Sequence, residues 1–447
     1  MKRPEPHWPD ARPLRILFLT DNFPPEVNAP ASRTYEHARE WVKAGCEVTV
    51  ITCAPNFPKG ELFPGYKNKL YQTEMMDGIR VVRVWTYITA NEGFYKRTLD
   101  YVSFAVAATL ASIGIKRPDI IVGTSPQFFT ACAAYAVGVL KRRPWVFELR
   151  DIWPESIKAV GALKEGPVLR LLEGFEMFLY RRAGRIVAVT HAFKEALIGR
   201  GIDAGKIDVV TNGADLSRFA PRPKPEDLAA RLGLTNAFVA GYVGTHGLAH
   251  GVDTLLDAAA ILQGLREASS IRILMLGHGA RKAALVERAQ SLGLNNVVFV
   301  DSVPKDEVAD YWALLDASII HLKKDPLFTT VIPSKLFECM AMGLPVLHGV
   351  EGESAEIVER EGAGETFEPE NAEALAEALI RLSQEPETLA GYREKALAAA
   401  PRYDRSTQAA LMLEALKIAA GGRFAAVHAA AVVDAEGVKR SFPPPAR

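Results

Sequence analysis

The chain has 447 residues, which is too long for one ordinary hydrophobic core and predicts two domains, with three as an alternative. Hydrophobic residues make up 49% of it and charged residues 24%, a composition typical of globular proteins and not of disordered ones. Because 53 Lys and Arg balance 53 Asp and Glu, the net charge gives no reason to expect nucleic acid as a partner.

The N-terminal segment is polar and rich in proline and lacks an apolar core, so we expect no secretion signal. The longest apolar run, Leu99–Ile115, is too short and too interrupted to cross a membrane. The cysteines have no metal-binding spacing and lie in apolar contexts, which indicates reduced core thiols in a cytosolic protein. They are Cys46, Cys53, Cys132 and Cys339.

Short runs rich in Val and Ile alternate with longer helical patterns almost throughout the chain. Near-continuous apolar strands separated by helices are typical of parallel sheets covered on both faces. The pattern therefore predicts an α/β protein with two doubly wound sheets. The first series of predicted strands is Arg15–Thr20, Glu47–Thr52, Ile79–Val84, Asp119–Gly123, Trp145–Leu149, Arg185–Thr190 and Ile207–Thr211. The second is Phe238–Val243, Ile271–Leu276, Val297–Val300, Ala317–Leu322 and Pro345–Leu347.

A proline-rich linker, Pro221–Asp227, separates the two series of strands. It predicts one domain at residues 14–220 and a second at 228–400. Residues 401–420 read as a final helix pair that crosses back to the N-terminal domain, and residues 421–447 as a flexible tail.

Polar or glycine-bearing loops follow three of the predicted strands. They are residues 21–33, 244–251 and 277–282. Ligands bind open α/β sheets beyond the carboxyl ends of the strands. A single Gly-x-Gly turn is a weak signal, but three such loops at equivalent strand ends predict a binding site.

The most informative segment is an extended Pro-Ser-Lys stretch, residues 333–335, that leads into a short apolar helix ending at Gly343. The free N–H groups at Ser334 and the helix dipole attract an anion, and Lys335 can add positive charge. The one acid of this helix, Glu338, can accept hydrogen bonds from hydroxyl groups. The segment therefore suits a ligand with phosphates and a ribose; the alternative is a solvent-facing glutamate on a surface helix.

Four segments of the chain form a pattern: Phe23–Glu26, Val187–Phe193, Thr211–Phe219 with its Asn-Gly-x-Asp-x-x-x-Phe signature, and Thr329–Pro345. Over residues 14–420 this pattern resembles the family 4 retaining glycosyltransferases of the GT-B fold, and Thr329–Pro345 is similar to the family's Glu-x7-Glu region. The resemblance implies two Rossmann-like domains facing across a cleft, an acceptor domain first and a nucleotide-sugar donor domain second. The segments Pro333–Lys335 and Arg150–Pro154 further resemble a branch that builds O-antigens, capsules and exopolysaccharides.

The chain departs from the family pattern in three places. Thr330 stands where the first acid of Glu-x7-Glu would be, and Asn28-Ala29 replaces the usual Gly-Gly after the Pro-Pro loop. Thr245 and His250 stand where the family commonly has an Arg and a Lys that grip the diphosphate.

The resemblance implies transfer of a sugar from a nucleotide sugar, expected to be UDP-linked, to a lipid-linked saccharide with retention at the anomeric carbon and without metal or cofactor. A helix N-terminus and basic side chains would stabilise the departing diphosphate. Glu338 would bind the ribose, and Thr330 would lie near the donor sugar and suit an N-acetylated or deoxy sugar. His250 would contact the diphosphate if protonated; hydrogen bonding within its own loop is the alternative for His246 and His250.

The predicted site residues fall into three groups. The predicted catalytic residues are Asp151, Lys335 and Glu338. The predicted donor-binding residues are Gly244, Thr245, His246, Gly247, His250, Gly277, Thr330, Ser334, Lys335 and Glu338. The predicted acceptor or phosphate contacts are Asn28, Arg33, Arg150 and Asn212. A helix cap is the alternative role for Asp151, and a surface position is the alternative for Arg33.

Two amphipathic segments with basic ends, around Leu99–Ile115 and Lys164–Arg185, suit the surface of an anionic membrane. Covering the N-terminal sheet is their alternative role. We expect a cytoplasmic protein, peripheral on the inner face of the plasma membrane. Two other functions stay open: a nucleotide-sugar 2-epimerase, whose acid and histidine pattern is not found here, and a non-catalytic nucleotide-sugar-binding protein.

Overall fold

The computed structural model describes residues 12–90, 94–152, 166–304 and 306–421. The chain forms two compact units. The first unit contains the described residues up to Thr211 together with those from Ser406 onward, and the second unit contains Asn212–Arg405. Each unit is built on one sheet.

The first unit holds an eight-stranded sheet in the order β3-β4-β2-β1-β5-β6-β7-β8. All neighbouring strands run parallel except β3, which pairs antiparallel with β4 at the edge. Its strands are β1 (Arg15–Leu19), β2 (Glu47–Cys53), β3 (Tyr71–Met76), β4 (Ile79–Val84), β5 (Ile120–Thr124), β6 (Trp145–Leu149), β7 (Arg185–Ala188) and β8 (Ile207–Val209).

Helices cover both faces of this sheet, because its central strands are buried on both sides. Two separate apolar clusters fill the faces: Leu17 and Leu19 of β1 belong to one, and Ile16 and Phe18 to the other. The helices of the first unit are α1 (Ala29–Lys43), α2 (Phe94–Ser112), α3 (Phe128–Lys141), α4 (Pro167–Arg182) and α5 (His191–Gly199).

The second unit holds a six-stranded, all-parallel sheet in the order β11-β10-β9-β12-β13-β14. Its strands are β9 (Phe238–Val243), β10 (Ile271–Leu276), β11 (Val297–Val300), β12 (Ala317–His321), β13 (Val346–Gly349) and β14 (Gly364–Thr366). Its helices are α6 (Glu226–Arg231), α7 (Asp253–Gln263), α8 (Lys282–Ser291), α9 (Val308–Ala313), α10 (Lys335–Met342), α11 (Glu353–Glu361), α12 (Ala372–Gln384) and α13 (Pro386–Ala399).

The last described helix, α14 (Arg405–Ala420), completes the core of the first unit. Its residues Met412, Leu413 and Leu416 are buried against β1 and β2, and the indole Nε1 of Trp41 donates a 2.8 Å hydrogen bond to the carbonyl of Ala409. Helix α14 is thus part of the same core as β1 and β2.

The α/β fold class with two Rossmann-like parallel sheets is confirmed. The sequence missed two strands: β3, whose side chains are half-exposed or exposed, and β14, which has three residues. The predicted helix Lys164–Arg185 begins at Pro167 within the described residues, and β7 and β8 end earlier than expected. The predicted tail after Gly421 lies outside the described residues. No helix in the described ranges is long and apolar enough to span a membrane.

Candidate active site

Two loops interlock at the carboxyl ends of β9 and β10 in the second unit. The backbone N–H of His246, in the loop after β9, donates a 3.0 Å hydrogen bond to the carbonyl of His278, in the loop after β10. In return the N–H of Arg281 donates to the carbonyl of His246 at 2.9 Å. These crossed bonds fix two of the predicted ligand loops, 244–251 and 277–282, against each other.

The loops approach so closely that only glycine fits at their crossing. Gly277 has a φ of 146°, and a Cβ built on it would lie 1.8 Å from the carbonyl oxygen of Gly244. Gly244 itself has a φ of 147°, and a Cβ there would lie 2.6 Å from the Nζ of Lys335. The glycines therefore let two backbones and one ammonium group share a small volume.

Lys335 brings positive charge to this crossing. Its Nζ lies 4.0 Å from the centre of the Tyr242 ring, a cation–π contact. It forms no salt bridge among the described residues; the charge of Glu338 favours its charged form, but by less than burial disfavours it. Burial lowers its pKa to about 8, because the site disfavours the charged form. An ammonium held in this way is able to attract an anion.

Helix α10 begins at Lys335, so its N-terminus lies at the same place. The N–H groups of Leu336 and Phe337 bond to the carbonyls of Pro333 and Ser334 at 3.0 and 3.2 Å. The N–H groups of Ser334 and Lys335 form no hydrogen bond within the described residues. The predicted extended conformation of Ser334 is wrong: its φ of −58° and ψ of −26° are helical, and its side chain does not cap the helix.

The two histidines of the β9 loop are neutral in this structure. His246 is fully buried, and neither of its ring nitrogens has a partner among the described residues. His250 is half-buried, and its Nδ1 is without a partner as well. Burial and then the nearby positive charges lower the pKa of each to about 4. The His246 ring therefore makes no bond within the loop, whereas a hydrogen bond between the His250 ring and the Gly247 backbone partly opposes the lowering of the His250 pKa.

A third histidine, His321 at the end of β12, forms a hydrogen bond to the loop after β9. Its Nε2 accepts a hydrogen bond from the N–H of Glu370 at 2.9 Å, so its Nδ1 carries the proton and donates to the carbonyl of His250 at 2.8 Å. Burial lowers the pKa of His321, which keeps this neutral tautomer. Sequence reasoning missed His321, because its role depends on the pairing of β12 with the rest of the sheet.

The Glu338 carboxylate, near the start of α10, is oriented by a tryptophan. The indole Nε1 of Trp312, a buried residue of α9, donates to Glu338 Oε2 at 3.3 Å. Glu338 is half-buried and is therefore not the fully solvent-facing glutamate of the alternative reading. Thr330 ends a short 3-10 helix, where its hydroxyl donates to the carbonyl of Leu327 at 3.1 Å.

The other donor-loop residues differ in their exposure. Thr245 is exposed, and its carbonyl accepts a 2.8 Å hydrogen bond from the hydroxyl of Tyr242. Gly247 is half-buried, and a Cβ there would lie 3.0 Å from Nδ1 of His250. Tyr242 thus orders the loop with its hydroxyl and holds Lys335 with its ring. Its position inside an apolar strand gave no sequence signal for either contact.

Asn28 and Arg150, two of the four predicted acceptor-side residues, follow strands β1 and β6 of the first unit. Asn28 caps α1: its Oδ1 accepts from the N–H of Ala31 at 2.9 Å, and its Nδ2 donates to Asn22 at 2.6 Å. Ser125 fixes the turn after β6, where its hydroxyl accepts from the N–H groups of Arg150 and Asp151 at 2.7 and 3.1 Å. The helix predicted to follow Asp151 falls outside the described residues.

Arg33 is not the surface residue of the alternative reading, because it is fully buried. Its Nε donates to the Glu148 carboxylate at 2.8 Å, and its other nitrogens donate to the carbonyls of Val210 and Thr211 at 2.9 and 2.7 Å. A phosphate contact would require it to give up these bonds. Asn212, the fourth predicted residue of this group, is half-buried at the start of the second unit.

Comparisons with known proteins match both units in turn. The profile of the glycosyl transferase 4-like domain matches residues 28–213, and that of the glycosyl transferases group 1 matches residues 225–398. The chain is a family 4 glycosyltransferase. The fold of this glycosyltransferase is GT-B, the class of its structural neighbours.

Individual relatives of this glycosyltransferase are distant. It is 28% identical over 377 residues to the putative colanic acid biosynthesis glycosyl transferase WcaI of Escherichia coli, a match that covers 81% of this chain and 90% of WcaI. It is 32% identical over 253 residues to a D-inositol 3-phosphate glycosyltransferase of Rhodococcus opacus, a match that covers 55% of each chain. Anabaena HepE, solved with UDP and glucose, superposes with a TM-score of 0.66 at 19% identity, over 90% of this chain and 99% of HepE.

Proposed function

We propose that this glycosyltransferase moves a sugar from a UDP-sugar to a lipid-linked saccharide, with retention at the anomeric carbon, in the synthesis of a cell-surface polysaccharide. The observation that carries the donor part is Lys335, a cation without a carboxylate partner beside a helix N-terminus and two neutral histidines. The names of WcaI and of HepE with its bound UDP support the polysaccharide and the UDP parts.

In this proposal Lys335 and the N–H groups of Ser334 and Lys335 bind the diphosphate. As the glycosidic bond to the diphosphate breaks, negative charge grows on the leaving group, and these preorganised donors stabilise it. A diphosphate beside His246 and His250 raises their pKa values, so either ring can then donate a hydrogen bond to it. Gly244 and Gly277 let the ligand approach the backbone closely.

Glu338 is the proposed partner of the donor ribose, since a carboxylate accepts hydrogen bonds from two vicinal hydroxyls. Its bond to Trp312 Nε1 holds one oxygen in place. Thr330 is proposed to face the donor sugar, where an uncharged hydroxyl suits an N-acetylated or deoxy sugar. In the first unit, Asp151 and Arg150 are proposed to act near the acceptor hydroxyl.

Donor binding is tested by calorimetric titration of UDP into the wild-type protein and Lys335→Met. We expect the affinity for UDP to fall at least tenfold in the variant, since a charge-assisted hydrogen bond contributes about 1.5–3 kcal/mol. Lys395→Met, which removes an exposed lysine of α13, is the matched control and should bind UDP like the wild type. Equal affinity of Lys335→Met and the wild type for UDP would contradict a role for Lys335 in binding the diphosphate.

Transfer itself is tested with a panel of UDP-sugars and lipid-linked acceptors, with the product analysed by mass spectrometry and its anomeric configuration by NMR. We expect product only when donor and acceptor are both present, the α configuration of the donor retained, and an unchanged rate in a chelator. An epimerised nucleotide sugar formed from donor alone would identify an epimerase instead. Donor binding without any product over the whole panel would favour the non-catalytic alternative.

We also propose that the first unit contacts an anionic membrane through one face of α2. Its exposed apolar side chains recur at helical spacing, and Val139 and Leu140 of the neighbouring α3 are exposed too. Exposed Lys96 lies near the start of this face, and exposed Lys116 and Arg117 follow it, so the charge matches an anionic surface. The exposed apolar residues are Tyr95, Leu99, Val106 and Leu110 of α2, together with Ile113 directly after it.

Co-sedimentation with vesicles tests the membrane contact. We expect the wild type to bind vesicles containing phosphatidylglycerol at low salt, and Leu110→Glu to bind them at least fivefold less, because a charge replaces an inserted side chain. Leu292→Glu places the same charge on an exposed leucine of the second unit and should leave binding unchanged. No binding of the wild type at low salt would contradict this part and leave the transfer reaction untouched.

A further inference from the structure

A cavity of about 250 Å³ lies in the first unit, at the carboxyl ends of β1, β2 and β5. The N-terminal half of α2 forms part of its wall. Pockets that enclose drug-sized ligands usually measure ~300–1,000 Å³, so this smaller volume suits a group about as large as one sugar ring. Its acidic lining residues were not among the predicted site residues.

Glu26 is a buried carboxylate of the cavity wall, with 4% of its surface exposed. Its Oε1 accepts hydrogen bonds from the N–H groups of Asn56 and Phe57 at 2.8 and 2.9 Å. Its Oε2 has no partner among the described residues. A buried acceptor without a donor costs free energy, and a ligand hydroxyl that donates to it would recover that cost.

Two further carboxyl groups line the same cavity. Asp21 accepts hydrogen bonds from the side-chain amides of Asn22 and Gln127, and the Oε1 of Gln127 is itself buried without a partner. Asp100 accepts from the hydroxyl of Thr86 at 2.5 Å. Burial raises the pKa of Asp21 to about 7 and that of Asp100 to about 6. Asp21 can therefore both donate and accept near neutral pH.

Positive charge is scarce in the wall of this cavity. Among its described lining residues the one basic side chain is Arg97, which lies 5.6 Å from the centre of the Tyr101 ring and donates to its hydroxyl at 2.8 Å. A ligand that brings hydroxyl groups would satisfy the acceptors in the wall. A ligand that brings a negative charge would meet three carboxyl groups and would also have to lose its hydration.

We infer that this cavity binds the sugar ring that receives the transferred group, that it holds the ring through uncharged hydroxyl groups, and that it excludes rings that carry a carboxylate or phosphate. The identity of the ring as acceptor rests on the proposed function; the binding of an uncharged ring does not. The cavity thus selects an acceptor by charge before any donor is bound.

The test is ligand-observed NMR on the full chain without donor at pH 7.5. The probes are methyl glycosides of glucose, galactose, mannose, fucose and rhamnose, together with methyl glucuronide, methyl galacturonide and the 6-phosphates of the hexosides. We expect at least one neutral glycoside to bind and its charged counterpart to bind at least tenfold more weakly. Equal or tighter binding of the charged ring, or no binding of any neutral ring, would overturn the inference.

Two variants assign the binding to this cavity. Glu26→Gln places an amide donor where the hydroxyl needs an acceptor and should weaken the neutral glycoside at least threefold. Asp100→Asn should reduce the preference for the neutral over the charged ring, a ratio that a merely structural defect would not change. Glu47→Gln, an exposed residue at the opposite end of β2, should leave both affinities unchanged.

The inference and the proposed function fail in different ways. If UDP-sugar is transferred to an acidic ring, the inference is wrong and the transferase stands. If the cavity binds neutral rings and no UDP-sugar binds or reacts, the transferase proposal is wrong and the neutral-ring site stands.

Discussion

At the scale of single residues, Lys335 is a cation in a site that disfavours its charged form. Its ammonium is held against Tyr242 with no carboxylate of the described residues to pair with, and burial lowers its pKa to about 8. An anionic ligand would supply the missing charge. The residue is therefore unfavourable for the ligand-free fold and favourable for the complex.

This balance predicts how pH changes donor affinity. Below pH 8 the free lysine is charged, and its contribution to UDP-sugar affinity should be constant; above pH 8 it loses its proton, and this contribution should fall by up to about tenfold per pH unit. Titrations of a UDP-sugar into the wild type and Lys335→Met between pH 6.5 and 9 measure the effect. The ratio of the two affinities isolates the lysine from the two histidines, and a ratio that does not change with pH would contradict the assigned charge.

The same residue predicts a gain of stability on substitution. Because the pKa of Lys335 is lowered in the fold, its cost is present below pH 8 and disappears as pH rises toward 10.5. Denaturant unfolding at pH 7 should therefore find ligand-free Lys335→Met more stable, by at most about 3 kcal/mol because the side chain keeps some contact with solvent. A Lys335→Met variant less stable than the wild type would show that the buried ammonium does not destabilise the ligand-free protein.

Arg33 and Glu148 show the opposite case, two buried charges that pair directly with each other in the first unit. Burial alone would raise the pKa of Glu148, but the charges of Arg33 and Arg150 outweigh it, so the pKa is lowered. Arg33→Met should cost about 3–5 kcal/mol in denaturant unfolding, because it leaves a buried carboxylate without its partner. Arg33→Met combined with Glu148→Gln should recover part of the loss, whereas strictly additive losses would exclude direct coupling.

The order of residue types in the sequence was enough to name part of the candidate site. Lys335, Glu338 and the loop glycines could be named because a helix start, a nearby acid and glycine turns follow each other in the sequence. Tyr242, Trp312 and His321 could not be named, since each acts through a neighbour that only the strand and helix packing brings to it. Glu26 was part of a named loop, but its unpartnered oxygen is a property of the folded loop.

At the scale of elements, the crossing of the β9 and β10 loops is the most restrictive feature of the second unit. Gly277→Ala puts a methyl group against the carbonyl of Gly244 and should lower UDP affinity at least tenfold or destabilise the second unit by more than about 2 kcal/mol. Titration and thermal unfolding measure the two effects. Gly391→Ala lies inside α13 with nothing within 4 Å and should be neutral or slightly stabilising.

Elements with continuous apolar strands were predicted well because both their faces are buried. The central strands β1, β5, β6, β9 and β10 lie at or within one residue of their predicted bounds. Strand β3 escaped prediction because its side chains alternate between half-exposed and exposed, a weak pattern typical of an edge. The helical conformation of Ser334 could not be predicted from its neighbours. Pro333 restricts the residue that precedes it to extended conformations, but it places no such restriction on Ser334, which follows it.

At the scale of the whole molecule, the first unit is formed by two stretches of the chain that are separated in sequence by the whole second unit. The residues proposed to bind the donor lie within 212–405, whereas α14 belongs to the first unit. Leu413→Ala should therefore destabilise the protein by about 2–5 kcal/mol, as large-to-small core substitutions do, while the affinity of the folded protein for UDP stays unchanged. A parallel loss of UDP affinity at a temperature where the variant is fully folded would contradict the separate assignment.

The position of α14 in the sequence also determines when the core of the first unit can be completed during synthesis on the ribosome. Roughly 190 residues of the second unit are made after β8 and before the helix that covers the apolar face formed by Phe18, Trp41 and Val50. At 5–20 residues per second that face stays uncovered for about 10–40 s. The nascent first unit therefore exposes apolar surface during this interval, and the second unit can finish folding before the first.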